Sequence, residues 1–230
     1  MRAFSYRPTG YPFPIAYELG ACALSERNVT DDTKIHYGRW NTWSDGCKKD
    51  DSAYAGVLQH YAYGVGSEDV AASDLADQAY SASYKAIAAT TPGRFTSTPK
   101  DSATSNISDL GAVTLTLSKA AGESNVYAEL AFTIDLPAYE TLRAPAGKRL
   151  ISTGSVALPA SQRIAFSALE KAAGGSCGVE RCSLNTGITF FGAQREYAVL
   201  SYGLLYDDND NTSQTAPAVK DGGLLILKKQ

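Results

Sequence analysis

The stretch from Val113 to Leu136 constrains the fold more than any other part of the sequence. Val113, Leu115 and Leu117 alternate with Thr114 and Thr116, and Lys119 to Asn125 forms a Gly-containing turn. Ala128, Leu130, Phe132, Ile134 and Leu136 then alternate with Tyr127, Glu129, Ala131, Thr133 and Asp135. A side-chain period of two marks a strand with one dry face and one wetter face, so the pair of runs predicts an antiparallel hairpin near 113–136. Further apolar runs at Ile188 to Phe191, Tyr197 to Tyr206 and Leu224 to Leu227 read as strands. The middle run is apolar on both faces, the mark of a central strand. Val156 and Leu158 predict one more short strand before Pro159.

Two segments read as helices. Ser67 can cap, Glu68 and Asp69 fall in a first turn where the helix dipole favours anions, and Ala71, Leu75, Ala79, Ala82 and Ala86 recur on one face. The spacing predicts a helix over 68–89, stopped by Thr90, Thr91 and Pro92. Ser161 opens a second, over 161–173, with Ile164, Ala165, Ala168, Leu169 and Ala172 as its stripe and Gly174 and Gly175 as its stop. The expected class is therefore α+β and β-rich, an antiparallel sheet with two helices and long irregular segments. Residues 1–92 read as an aromatic-rich irregular segment plus a helix, 93–109 as an exposed connection rich in Ser, Thr, Pro and Asp, and 110–230 as a β-rich region, the whole compatible with one continuous domain.

Composition narrows the function classes. With 230 residues, 44% hydrophobic and 20% charged, the chain is long enough and apolar enough to build a core. Its formal net charge of -3 gives no broad electrostatic grip on nucleic acid, and nucleic-acid contact is not indicated. The first twenty residues hold three prolines and no unbroken apolar stretch, and no window reaches the length needed to cross a bilayer, so no membrane partner is expected.

No motif names a reaction. Gly174-Gly175-Ser176-Cys177-Gly178 spells a nucleophile elbow, but it follows a predicted helix, and the two histidines, His36 and His60, both precede the serine. Gly175-Ser176-Cys177-Gly178 resembles the Gly-x-Cys-Gly nucleophile turn of viral chymotrypsin-like cysteine proteases. That resemblance spans four residues, lacks the second glycine of the usual pattern, and implies Cys177 as nucleophile with His36 or His60 as base. Cys177 and Cys182 are spaced to close a small disulfide loop or to supply two metal ligands. Cys22 and Cys47 add no second close pair, so neither a metal site nor a cofactor is expected. Asp207 to Thr212 starts like a calcium loop but has Thr212 and Ala218 where an EF-hand needs Gly and Glu.

Tyr37, Trp40 and Trp43 flank Arg39 and Asn41 and offer either an aromatic platform for a sugar ring or a set of core or interface anchors. The leading expectation is a non-enzymatic structural assembly subunit, a capsid or other virion protein of a virus or phage, made in a host cytoplasm. Its expected partners are copies of itself or other particle proteins that cover aromatic-rich segments. A carbohydrate-binding module using Tyr37, Trp40 and Trp43 is the alternative, and the Cys177 protease is the second alternative.

Overall fold

The computed structural model describes residues 2–5, 24–41, 58–94, 107, 109–136, 141–167, 169–175, 182–206 and 219–230. These residues are mostly β. The strands are β1 (Arg2–Ser5), β2 (Leu24–Val29), β3 (Ile35–Asn41), β4 (Leu58–Gly64), β5 (Val70–Ala71), β6 (Tyr80–Ala89), β7 (Gly93–Arg94), β8 (Thr114–Lys119) and β9 (Tyr127–Ala131). They continue with β10 (Thr133–Asp135), β11 (Thr141–Arg143), β12 (Arg149–Leu150), β13 (Val156–Leu158), β14 (Ser161–Ser167), β15 (Glu170–Lys171), β16 (Cys182–Phe191), β17 (Tyr197–Tyr206) and β18 (Val219–Lys229). One turn of helix, α1 (Ala72–Leu75), and one 3-10 turn (Leu110–Ala112) complete them.

The main sheet runs β12-β9-β8-β6-β18-β17-β16-β14, all antiparallel, and curls into a nearly closed eight-strand barrel. Alternation explains the inside. Tyr84, Leu115, Leu117, Leu130, Phe166, Leu184, Phe190, Leu200, Tyr202 and Leu227, drawn from most of the staves, are buried in one cluster that fills the lumen. The hairpin expected near 113–136 is present as β8 and β9, with Leu115 opposite Leu130 and Leu117 opposite Ala128. β17 lies between β16 and β18 and is buried on both faces, as its unbroken apolar run predicts.

Both predicted helices are corrected by the structure. Within 68–89 the helix is confined to Ala72–Leu75, and Tyr80–Ala89 is a ten-residue strand. Alanines three and four apart satisfy a helical stripe, yet Ala82, Tyr84 and Ala86 also alternate with Ser81, Ser83 and Lys85. β8 and β18 take the two edges of that strand. Tertiary pairing overrides the alanine propensity. Likewise the described part of 161–173 is not helix: 161–167 is strand, with Ile164 and Phe166 pointing inward, Arg163 and Ala165 outward, and β16 pairs along all seven residues of β14. Gly174 and Gly175 do end this segment, with φ of 99° and 82°, but they close a turn after β15. The architecture is thus antiparallel β with almost no helix rather than α+β.

A second layer covers part of the barrel. The four-stranded sheet β1-β4-β3-β2 packs Ile35, Tyr37 and Ala62 on the outward faces of Phe191, Tyr197, Val199, Leu224 and Ile226. That is why β17 has no wet face. β6, from the segment before the Ser/Thr-rich connection, is a stave of the same barrel as β8 to β18, and most of the connection lies outside the described residues.

Candidate functional site

The barrel ring is fastened unevenly, and its seam is the first site of interest. β9 and β10 run end to end and are matched by β12 and β11: Ala128 faces Arg149, Ile134 faces Leu142, and the Ala144 amide donates to the Phe132 carbonyl at 2.9 Å. β15, which continues β14, pairs with β11 through Leu142 opposite Lys171 and Arg143 opposite Glu170, and the Ala172 amide donates to Thr141 at 2.9 Å. One end of the seam is therefore hydrogen-bonded shut. Toward the other end no pairing joins β12 to β14 among the described residues. There the Arg149 guanidinium lies over the Phe166 ring, 5.2 Å from its centroid, and Leu150 is 51% exposed. Among the described residues β14 is thus paired on one side only, by β16.

The junction between barrel and outer sheet holds most of the perturbed groups. The Asp32 carboxylate accepts from the Tyr197 hydroxyl at 2.5 Å, the Thr30 hydroxyl at 2.9 Å and the Lys34 amide at 3.3 Å, with the Lys228 ammonium 3.8 Å away. These contacts, the Tyr197 bond first, hold its carboxyl below the usual range, while burial and Asp32 push the Tyr197 phenol up to about 12. Lys34 pairs with Glu196 at 3.6 Å across the same junction. Deeper in, His60 is 2% exposed and its Nδ1 lies 2.8 Å from the Thr90 hydroxyl, which also accepts the Leu224 amide at 2.9 Å. Burial, with Arg39 nearby, lowers the His60 imidazole to about 4, so it is neutral at pH 7. All of these groups join the two layers.

One end of the barrel is held by Arg195. Its guanidinium donates to the carbonyls of Leu158 at 2.7 Å, Pro159 at 3.1 Å and Glu68 at 2.5 Å, and lies over the Phe190 ring. It anchors the small β5-β13 pair against the barrel. Lys119 has a matching role: its side chain is 4% exposed overall, and its ammonium donates to Leu75, Gln78, Ala76 and Ala120 carbonyls at 2.7, 2.8, 3.2 and 3.4 Å. These carbonyls include the orphans at the end of α1. The sequence reading put Lys119 in the turn after the strand, whereas it ends β8; parity, which carries Val113, Leu115 and Leu117 onto the buried face, was the signal that could have placed it there. Arg195 has no comparable signal in a short polar link between apolar strands.

The residues singled out by sequence are described only in part. Tyr37 is 8% exposed within the packing between the layers. Trp40 lies on β3, its backbone opposite Gln59 and Leu24, and Trp43 lies outside the described residues. Cys182 is disulfide-bonded, and every other cysteine, Cys177 included, lies outside the described residues. His36 stacks flat on Tyr63, with centroids 4.7 Å apart. The segment 207–212 also lies outside. Among the described residues no three His, Cys, Asp or Glu side chains gather to hold a metal, and no helix is long and apolar enough to cross a membrane.

No family model and no curated protein matches this chain. Among solved structures, the chain is similar to a mutant of the vaccine antigen transferrin binding protein B from Haemophilus parasuis Hp5, at 13% identity and a TM-score of 0.34. The match covers 88% of this chain and 34% of that one, so this chain spans about a third of that protein's length.

Proposed function

We propose that this chain is a structural assembly subunit that works through contacts on its outer surface. The observation that carries this reading is the half-open seam, where, among the described residues, β14 presents an unpaired strand edge beside exposed Leu150 in a ring otherwise closed by hydrogen bonds. An open edge is a row of backbone donors and acceptors ready to add a strand from another chain. The filled lumen supports the same reading: Tyr84, Phe132, Phe166, Phe190 and Tyr202 occupy the space in which wider barrels hold a small ligand. Partners therefore meet the outside of the barrel. Copies of the same chain, in a virus or phage particle as the sequence led us to expect, are the proposed partners.

Light scattering after size-exclusion chromatography tests this. Oligomers are expected to grow with concentration, and Ala165→Lys, a charge on the exposed face of β14, is expected to shift them toward monomer while leaving the circular dichroism spectrum unchanged. A wild-type protein that stays monomeric at every concentration refutes the proposal.

A further inference from the structure

Strand register fixes which backbone groups each lip of the open seam presents. The Phe190 amide donates to the Ala160 carbonyl at 2.9 Å. Successive residues of an antiparallel strand turn their N–H and C=O groups to opposite sides. Gln162, Ile164 and Phe166 therefore bond to β16, and the groups of Ser161, Arg163 and Ala165 point into the seam. On the facing lip the Ile151 amide donates to the Val126 carbonyl at 3.0 Å, so the groups of Leu150 point into the seam from β12. We propose that this open stretch takes a strand from a second copy of the chain, antiparallel to β14, with carboxylates on its outward face and apolar side chains on its inward face. Such a strand is the contact behind the assembly function above, and its chemistry rests on that reading.

Charge sets the outward face. Where the seam is closed, Arg143 of β11 stands opposite Glu170 of β15. The open stretch instead has an arginine on each lip. Arg163 is exposed on the outer face of β14. Arg149, opposite buried Ala128, turns to the inner face, with its guanidinium over the Phe166 ring and its Nη1 donating to the Lys148 carbonyl at 3.3 Å. Neither arginine is ion-paired among the described residues. Cations on both lips oppose direct closure, whereas carboxylates on a strand laid between them are attracted from both sides. The chain has 24 acidic against 21 basic residues, so a second copy brings the charge that this gap lacks. Apolar contact sets the inward face: Ile164 and Phe166 are buried in the lumen cluster, and side chains placed opposite them extend it. Residues directly opposite each other share a face, so the position facing Arg163 both carries a carboxylate and donates its amide to β14.

The probe is the peptide Ac-Thr-Val-Glu-Val-Glu-Val-Thr-NH2, compared by isothermal titration calorimetry with the same peptide carrying Lys for Glu. The acidic peptide is expected to bind about ten-fold more tightly, the size of two exposed charge contacts, and to lose that margin at high salt. Arg163→Gln is expected to remove most of the preference and Arg163→Glu to reverse it. N-methylation of the two Glu amides, which face β14, is expected to abolish binding, while N-methylation of the Val amides retains it. In light scattering the acidic peptide is expected to disperse the wild-type oligomers. No heat with the acidic peptide, equal affinity for the two peptides, an unchanged preference in Arg163→Glu, or loss of binding on methylating Val rather than Glu would overturn the proposal. So would oligomers that persist with the peptide bound. Oligomers that form without binding the acidic peptide overturn this strand chemistry and leave the assembly function standing, whereas a chain that stays monomeric overturns both.

Discussion

Acidification should loosen this protein through His60 before any carboxylate is reached. The imidazole is enclosed between the outer sheet and the barrel, Nδ1 is taken by Thr90, and Nε2 has no hydrogen-bond partner among the described residues. A second N–H would therefore be buried without an acceptor, close to the Arg39 charge. Lowering the pKa from 6.5 to about 4 corresponds to about 3 kcal/mol between the two protonation states. The unfolded chain takes up this proton near pH 6.5 and the folded one only near pH 4. Stability is thus full above pH 6.5, falls by about 1.4 kcal/mol per pH unit between these values, and levels off below. Urea titrations from pH 4 to 8 on wild type and His60→Asn read this directly. The variant is expected to be less stable at pH 8 but to lack that slope, so the two stability curves converge on acidification. Asp32 and Glu196, whose carboxyls are held low, titrate in both proteins and cancel in the difference. Parallel curves for the two proteins across pH 4 to 7 would refute the reasoning.

Two further substitutions probe the barrel. Gly223 lies under the Tyr202 side chain, and a Cβ added there would sit 2.9 Å from its Cε1 and from its hydroxyl oxygen. Gly223→Val should lower stability by about 1–3 kcal/mol, the usual cost of overpacking, read as a drop in Tm, whereas an unchanged Tm would show that the ring moves aside freely. Lys119→Met keeps the apolar stem but strips the Leu75, Ala76 and Gln78 carbonyls of their donor. It should speed amide hydrogen exchange in 72–79 well before the rest of the barrel opens, and uniform exchange would contradict the clamp assigned to this lysine.

How much of this was legible in the sequence depended on how far apart the partners lie. The β8-β9 hairpin could be read because Leu115 and Leu117 meet Leu130 and Ala128 across a short turn, and parity alone fixes which side chains go inside. β17 could be read along its whole length from one long apolar run, and β16 and β18 only in part, from 188–191 and 224–227. β6 could not, because alanine is at home in a helix and also small enough for a barrel wall: Ala79, Ala82 and Ala86 match three-and-four spacing, while Ala82, Tyr84 and Ala86 match a period of two. The choice was made by β18, more than a hundred residues further along the chain. β14 was misread for the same reason. The seam was invisible because it depends on where β11 and β15 happen to meet. That Ser81, Ser118 and Tyr127 are neighbours was invisible, because only strand register brings them together and Ser81 fell within the helix expected over 68–89.

β18 also sets an order of events during synthesis. It is the stave that joins β6 to β17, and it comprises residues 219–229. As the polypeptide leaves the ribosome, β6, β8 and β9 can zip together early, and β16 with β17 later, but the two sheets have no wall between them until the final stave has emerged. Until then each carries a bare greasy face to solvent, the kind of surface that chaperones shelter and that neighbouring nascent chains stick to. Ribosome stalling before residue 219 should therefore leave two half-barrels with separate fates, and release of the last stave should close them in a single concerted step.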